Sequence, residues 1–101
     1  MKMERPVVTL NPLIHEPARL GIMAALVECR AADFMFLVGV TGLTRGNLST
    51  HLARLTQAGY VFESKEFVER KPRTEYRITD VGQQAYKEYL KEWSQLTGTR
   101  K

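Results

Sequence analysis

Residues 44–61, TRGNLSTHLARLTQAGYV, decide the fold. Leu48, Leu52 and Leu55 recur four and three residues apart, which stacks them on one side of an α-helix and turns Gly46, Thr50, Ala53 and Gln57 to the other. Asn47, Ser49 and Arg54 flank that outer face. A helix that only covers a core shows water a mixture of Lys and Glu. This one shows short hydrogen-bonding side chains and two arginines, a pattern suited to a polar, anionic surface.

Thr44 has the hydroxyl to cap this helix, and Gly59 ends it. Before it, residues 36–41 read as a short apolar helix that Gly42 closes, with Leu43 plugging the core. Two short helices joined by a tight glycine-containing turn, the second polar outside, make a helix-turn-helix.

Upstream, Asn11 reads as a cap for a single turn over residues 13–15, and a second start follows at Glu16-Pro17. From Pro17 to about Arg30, the residues Leu20, Ile22, Met23, Leu26 and Val27 cover more than half the helix circumference. Burial on two sides is expected, with Cys29 a small core residue. Residues 31–33 mark a break.

Downstream, residues 60–68 are aromatic and β-branched, and residues 75–78 alternate polar with apolar. Between them residues 70–74, which include Pro72, form the expected basic tip of a β-hairpin. Thr79 and Asp80 offer caps for a last helix in which Val81, Ala85, Tyr86, Tyr89, Leu90, Trp93 and Leu96 recur at helical spacing. The expected organisation is an arm over residues 1–10, one domain over residues 11–98, and a tail over residues 99–101. The fold class is mainly α with a small β-hairpin.

The chain has 101 residues and a net charge of +4, and residues 34–79 hold seven Lys or Arg against four Asp or Glu. No acid falls between Asp33 and Glu63, while Arg70, Lys71 and Arg73 sit within four positions. Such clustering favours a polyanionic partner. The lone Cys29 excludes an internal disulfide and, with only His15 and His51, leaves too few ligands for a zinc or copper site. Neither a signal sequence nor a run of roughly 20 apolar residues occurs, so no membrane partner and a cytoplasmic location are expected. The sequence holds no carboxylate pair, nucleophile with its base, or Gly-rich phosphate loop, so an enzyme is not expected.

The run N-L-S-T-H-L-x-x-L at residues 47–55, the A-G-Y-V exit at 58–61 and P-R-T-x-Y-x-x-T-x-x-G at 72–82 resemble the ArsR/MarR-like small winged helix-turn-helix regulators. The resemblance spans nearly all of residues 11–90. It implies a three-helix core, a two- or three-stranded wing and a long C-terminal helix. It also implies that Arg45, Gly46, Asn47, Ser49, Thr50, His51 and Arg54 lie on a recognition helix near DNA, with Arg70, Lys71 and Arg73 on the wing. Metal-sensing relatives hold cysteine pairs that this chain lacks, so neither a metal nor a cofactor is expected.

The residue types fit that task. Gly46, Ser49 and Thr50 are short enough to let a helix approach the major groove, and Asn and Arg form paired hydrogen bonds with adenine and guanine. A basic wing supplies phosphate contacts. His51, beside the leucines, suits either a structural hydrogen bond or a phosphate contact. A last helix running beyond one small core needs another surface, and with the doubly apolar first helix it suggests a homodimer through Leu20, Met23, Val27, Tyr86, Tyr89, Trp93 and Leu96. The expected function is a dimeric regulator, in its repressing form, of a partly palindromic double-stranded DNA site; no effector is named. The alternative is a winged-helix module that docks onto a larger protein assembly. Outward Leu, Met or aromatic residues, which that alternative favours, are absent from the polar helix.

Overall fold

The computed structural model describes residues 9–98, so the expected arm up to residue 8 and the tail over residues 99–101 lie outside the described residues. The order is α1 (Pro17–Cys29), β1 (Ala31–Asp33), α2 (Phe34–Thr41), α3 (Arg45–Gln57), β2 (Val61–Val68), β3 (Lys71–Ile78) and α4 (Asp80–Thr97). The strands form one antiparallel sheet in the order β1-β3-β2.

Each helix starts where a side chain can satisfy a free backbone N–H. Glu16 caps α1 by accepting from Arg19, with Pro17 in the first turn. Asp33, Thr44 and Thr79 do the same for α2, α3 and α4, accepting from Phe36, Asn47 and Gly82. Asn11 accepts from the amides of Leu13 and Ile14, which makes the expected separate turn ahead of α1. Gly42 and Gly59 have φ of 73° and 84°, a left-handed backbone that stops α2 and lets the chain leave α3 toward β2.

One core joins these elements. Leu48, Leu52 and Leu55 of α3 pack with Ile22, Met23 and Leu26 of α1, Leu37 of α2, Val61 and Tyr76 of the sheet, and Tyr89 of α4. Complete burial of each large aliphatic side chain stabilises the fold by roughly 1.5–3 kcal/mol, so the leucine triad holds the orientation of α3. Gly82 lies where α4 crosses the exit of α3. A Cβ there would overlap the Tyr60 carbonyl oxygen and stand 2.9 Å from Cγ1 of Ile78.

Several sequence expectations change. Residues 31–33 are not merely a break but a third strand, held because Ala32 is buried opposite Tyr76. The short helix begins at Phe34, since Asp33 caps it two residues earlier than expected. Helix α1 buries one face through Ile22, Met23 and Leu26, whereas Gly21, Val27 and Cys29 are exposed. Cys29 is therefore no core residue: it is exposed at the last position of the helix. The hairpin is tighter than expected, with only Glu69 and Arg70 between the paired residues Val68 and Lys71.

Candidate nucleic-acid interface

Burial of the leucines turns the rest of α3 outward. Arg45, Gly46, Asn47, Ser49, Thr50 and Arg54 are all exposed, and His51 is half-buried at the edge toward α1. A Cβ added at Gly46 would meet nothing within 4 Å, so the N-terminal outer face is open. The cap comes from Thr44, which leaves the Asn47 and Ser49 side chains without an intramolecular hydrogen bond among the described residues. Thr50 donates its hydroxyl to the Gly46 carbonyl at 3.0 Å. The face thus offers short donors and acceptors plus two cations, with no acid along Arg45–Gln57.

His51 has a definite partner. The guanidinium of Arg19, on α1, reaches its Nδ1 at 3.0 Å and holds the Leu13 carbonyl through Nε at 2.6 Å. Sequence reading missed Arg19, because the α1–α3 approach joins residues 32 positions apart and leaves no local signal.

In the wing, Glu69 and Arg70 have φ of 52° and 67°. Positive values at both central residues define the type I′ geometry that fits the twist of a two-residue hairpin and favours Asn-Gly. Neither residue here is of that kind, and the conformation lifts Arg70 to the tip. Lys71, Pro72 and Arg73, expected at the tip, instead begin β3. Pro72 stands opposite Phe67, one step from the closing pair, where an antiparallel ladder asks for no N–H from that position. Lys71, Arg73, Glu75 and Arg77 alternate onto one face, where Arg73 faces Glu66 across the strands. Arg73 also meets Asp33 at 3.4 Å, and Arg77 meets Glu75 at 3.4 Å. The wing is basic at its end and charge-balanced along its shaft.

The residues expected at a subunit contact divide into two groups. Met23 is 0% exposed and Tyr89 4%, so both belong to the chain's own core and have little surface to offer. Tyr89 hydroxyl is fixed against Nδ1 of His15 at 2.8 Å, and Tyr86 packs half-buried on the same core. Leu20 is half-buried, while Val27, Trp93 and Leu96 are exposed, the last two by 44% and 54%. Leu90, omitted from the expected contact, is exposed beside them. Among the described residues no helix is long and apolar enough to cross a membrane, and no group of three His, Cys, Asp or Glu could hold a metal ion.

Three helices, a polar outward third helix and a two-stranded wing after it define a winged helix-turn-helix protein of the DNA-binding kind. Residues 18–97 match the family described as the winged helix DNA-binding domain. The chain is 32% identical over 85 residues to an uncharacterised protein of Methanocaldococcus jannaschii, a match covering 84% of this chain and 92% of that one. It superposes with a TM-score of 0.81 and 36% identity on a transcriptional regulator homologue from Pyrococcus horikoshii, covering 86% of each chain. It is also similar to a PadR family transcriptional regulator from Eggerthella lenta, with a TM-score of 0.66, 25% identity, and coverage of 76% of this chain and 74% of that one. The chain belongs to the winged helix DNA-binding domain family of transcriptional regulators.

Proposed function

We propose that the protein is a homodimeric repressor that recognises a partly palindromic operator in double-stranded DNA. The observation that carries this reading is the outer face of α3, where Asn47, Ser49 and Arg54 are exposed while Leu48, Leu52 and Leu55 are buried. In the major groove, Arg45, Asn47 and Arg54 read base edges, and Gly46, Ser49 and Thr50 permit close approach. His51, Arg70, Lys71 and, when released from Asp33, Arg73 contact phosphate and set the register.

The dimer reading rests on α4. Gly82, Tyr86 and Tyr89 lie buried or half-buried on the domain, and the same helical stripe continues through the exposed Trp93 and Leu96. Leu20 and Val27 of α1 extend the apolar surface. A two-fold contact there presents both recognition helices to one side of a duplex. Occupancy of a promoter by such a dimer is enough to block transcription.

Selection from random duplexes tests the reading. The expected result is an enriched site with inverted half-sites, and Asn47→Ala or Arg54→Ala relaxes preference at particular base pairs while leaving non-specific binding nearly intact. Failure to enrich any site overturns sequence-specific recognition. Enrichment of the parental site with undiminished preference by both variants removes these two residues as base readers.

A further inference from the structure

We propose that Arg19 is a positioning residue for His51, holding its ring as the neutral tautomer whose Nε2–H is a fixed donor to a DNA phosphate. The inference rests on the DNA-binding reading above for the identity of the acceptor. The tautomer itself follows from geometry alone.

An arginine side chain has five N–H donors and no acceptor. The 3.0 Å approach of Arg19 Nη1 to His51 Nδ1 therefore requires Nδ1 to accept, and the single ring proton belongs on Nε2. Arg19 is itself well fixed. Its Nε donates to the Leu13 carbonyl at 2.6 Å, and its backbone amide donates to the Glu16 carboxylate at 2.8 Å. These two anchors set the direction from which the guanidinium meets the imidazole.

The far side of the ring is open. Thr56 Oγ1 is the buried side-chain polar atom without a partner among the described residues, so Nε2 of His51, which has none there either, reaches solvent. On α3, His51 stands four residues after Asn47 and three before Arg54, in one line along the flank of the outer face. A donor at that place lies at the margin of the proposed groove-reading surface, where phosphate oxygens run beside a helix in the major groove. Without Arg19, the ring could rotate or carry its proton on Nδ1, and the donor would be lost for part of the time.

Two readouts test the proposal. Proton–nitrogen correlation spectra of the imidazole in the free protein report the tautomer with no DNA present, and duplex titrations report the consequence. In the parent, His51 is expected as the Nε2–H form, and Arg19→Met gives a mixture. Arg19→Met and His51→Ala each weaken binding to any duplex by about five-fold, the scale of one hydrogen bond. The double variant is no weaker than His51→Ala alone. Arg19→Lys, which retains a donor-only cation, keeps the tautomer; where Arg19→Met fails to fold, loss of the Nε2–H form in Arg19→Lys overturns the proposal. An Nδ1–H parent, multiplicative losses in the double variant, or weakened binding by Arg19→Met with an unchanged tautomer overturns the positioning role. A parent that binds no duplex overturns the phosphate contact and the DNA reading together, while the spectrum still decides the tautomer.

Discussion

Arg73 and Asp33 meet at 3.4 Å across the sheet edge, and the same aspartate caps α2 through its other carboxylate oxygen. Both side chains are partly exposed, so the pair is worth at most about 1 kcal/mol and opens readily. It nevertheless places a negative charge beside a wing cation. Asp33→Asn retains a capping oxygen and releases Arg73, so affinity for random duplex is expected to rise several-fold. Each phosphate contact contributes about 0.9 to the slope of log affinity against log salt. Arg70→Ala and Lys71→Ala should each flatten that slope by about this amount, and Arg73→Ala by less in the parent than in Asp33→Asn. Equal effects of Arg73→Ala in the two backgrounds would show that the ion pair does not restrain this arginine.

Gly82→Ala tests the joint between the wing and α4. The residue is helical, where alanine ordinarily stabilises by up to about 1 kcal/mol relative to glycine. Here the added methyl would overlap the Tyr60 carbonyl, whose oxygen also accepts from the amide of Thr79 at 2.9 Å. The Tyr60 backbone on one side and Cγ1 of Ile78 on the other leave little room to give. The expected outcome is a loss of about 1–3 kcal/mol, as in other overpacked sites, read from urea unfolding. A more stable variant would mean that α4 shifts freely against the exit of α3.

Tyr76 links stability to alkaline pH. Burial raises its phenol pKa above the ordinary 10.0, and the nearby Glu63 carboxylate adds to the shift. The folded state therefore holds the phenolic proton more tightly than the unfolded chain does. Its contribution is fully present below pH 10.0 and is lost as pH rises through the higher folded value. Unfolding midpoints measured above pH 10 should fall less steeply for Tyr76→Phe than for the parent. Parallel alkaline limbs would place the ionisation elsewhere.

The four helices were legible because each carries a local signature: a capping side chain, a run of periodic apolar residues, or a closing glycine. Thr44, Gly42, Gly59 and Thr79 all act where their chemistry suggests. The third strand was not legible, since three residues have no period of their own and Ala31–Asp33 is a strand only through pairing with β3. The same limit governed the site. The exposed face of α3 follows from the positions of its leucines, whereas Arg19 beside His51 and Asp33 beside Arg73 depend on contacts 32 and 40 residues apart. Cys29 and Met23 exchanged their expected environments because an all-round apolar helix does not reveal which arc meets the core. The wing tip was misplaced for another reason: proline suggests a turn, yet the first residues of a strand also accept it where no ladder hydrogen bond is required.

The proposed dimer gives the last test. Trp93 stands next to His15, with ring centroids 6.1 Å apart, at the point where the α4 stripe leaves the domain core. Leu90 and Leu96 are exposed on either side of it in the sequence. An aromatic side chain at the centre of an apolar contact commonly contributes about 2 kcal/mol or more to association when truncated. Trp93→Ala should therefore raise the dimer dissociation constant by about thirty-fold or more. Because Trp93 is 44% exposed, the monomer fold should survive, which circular dichroism would verify. Operator affinity should fall with dimerisation, while binding to a single half-site stays near the parental value, since α3 and the wing are untouched. Two linked recognition helices meet successive major grooves, so the site selected by the parent should carry inverted half-sites about 10 base pairs apart, centre to centre. Sedimentation of the parent as a monomer at tens of micromolar, or selection of an unpaired half-site, would exclude this arrangement. Equal sedimentation of parent and Trp93→Ala as dimers would move the contact away from the end of α4.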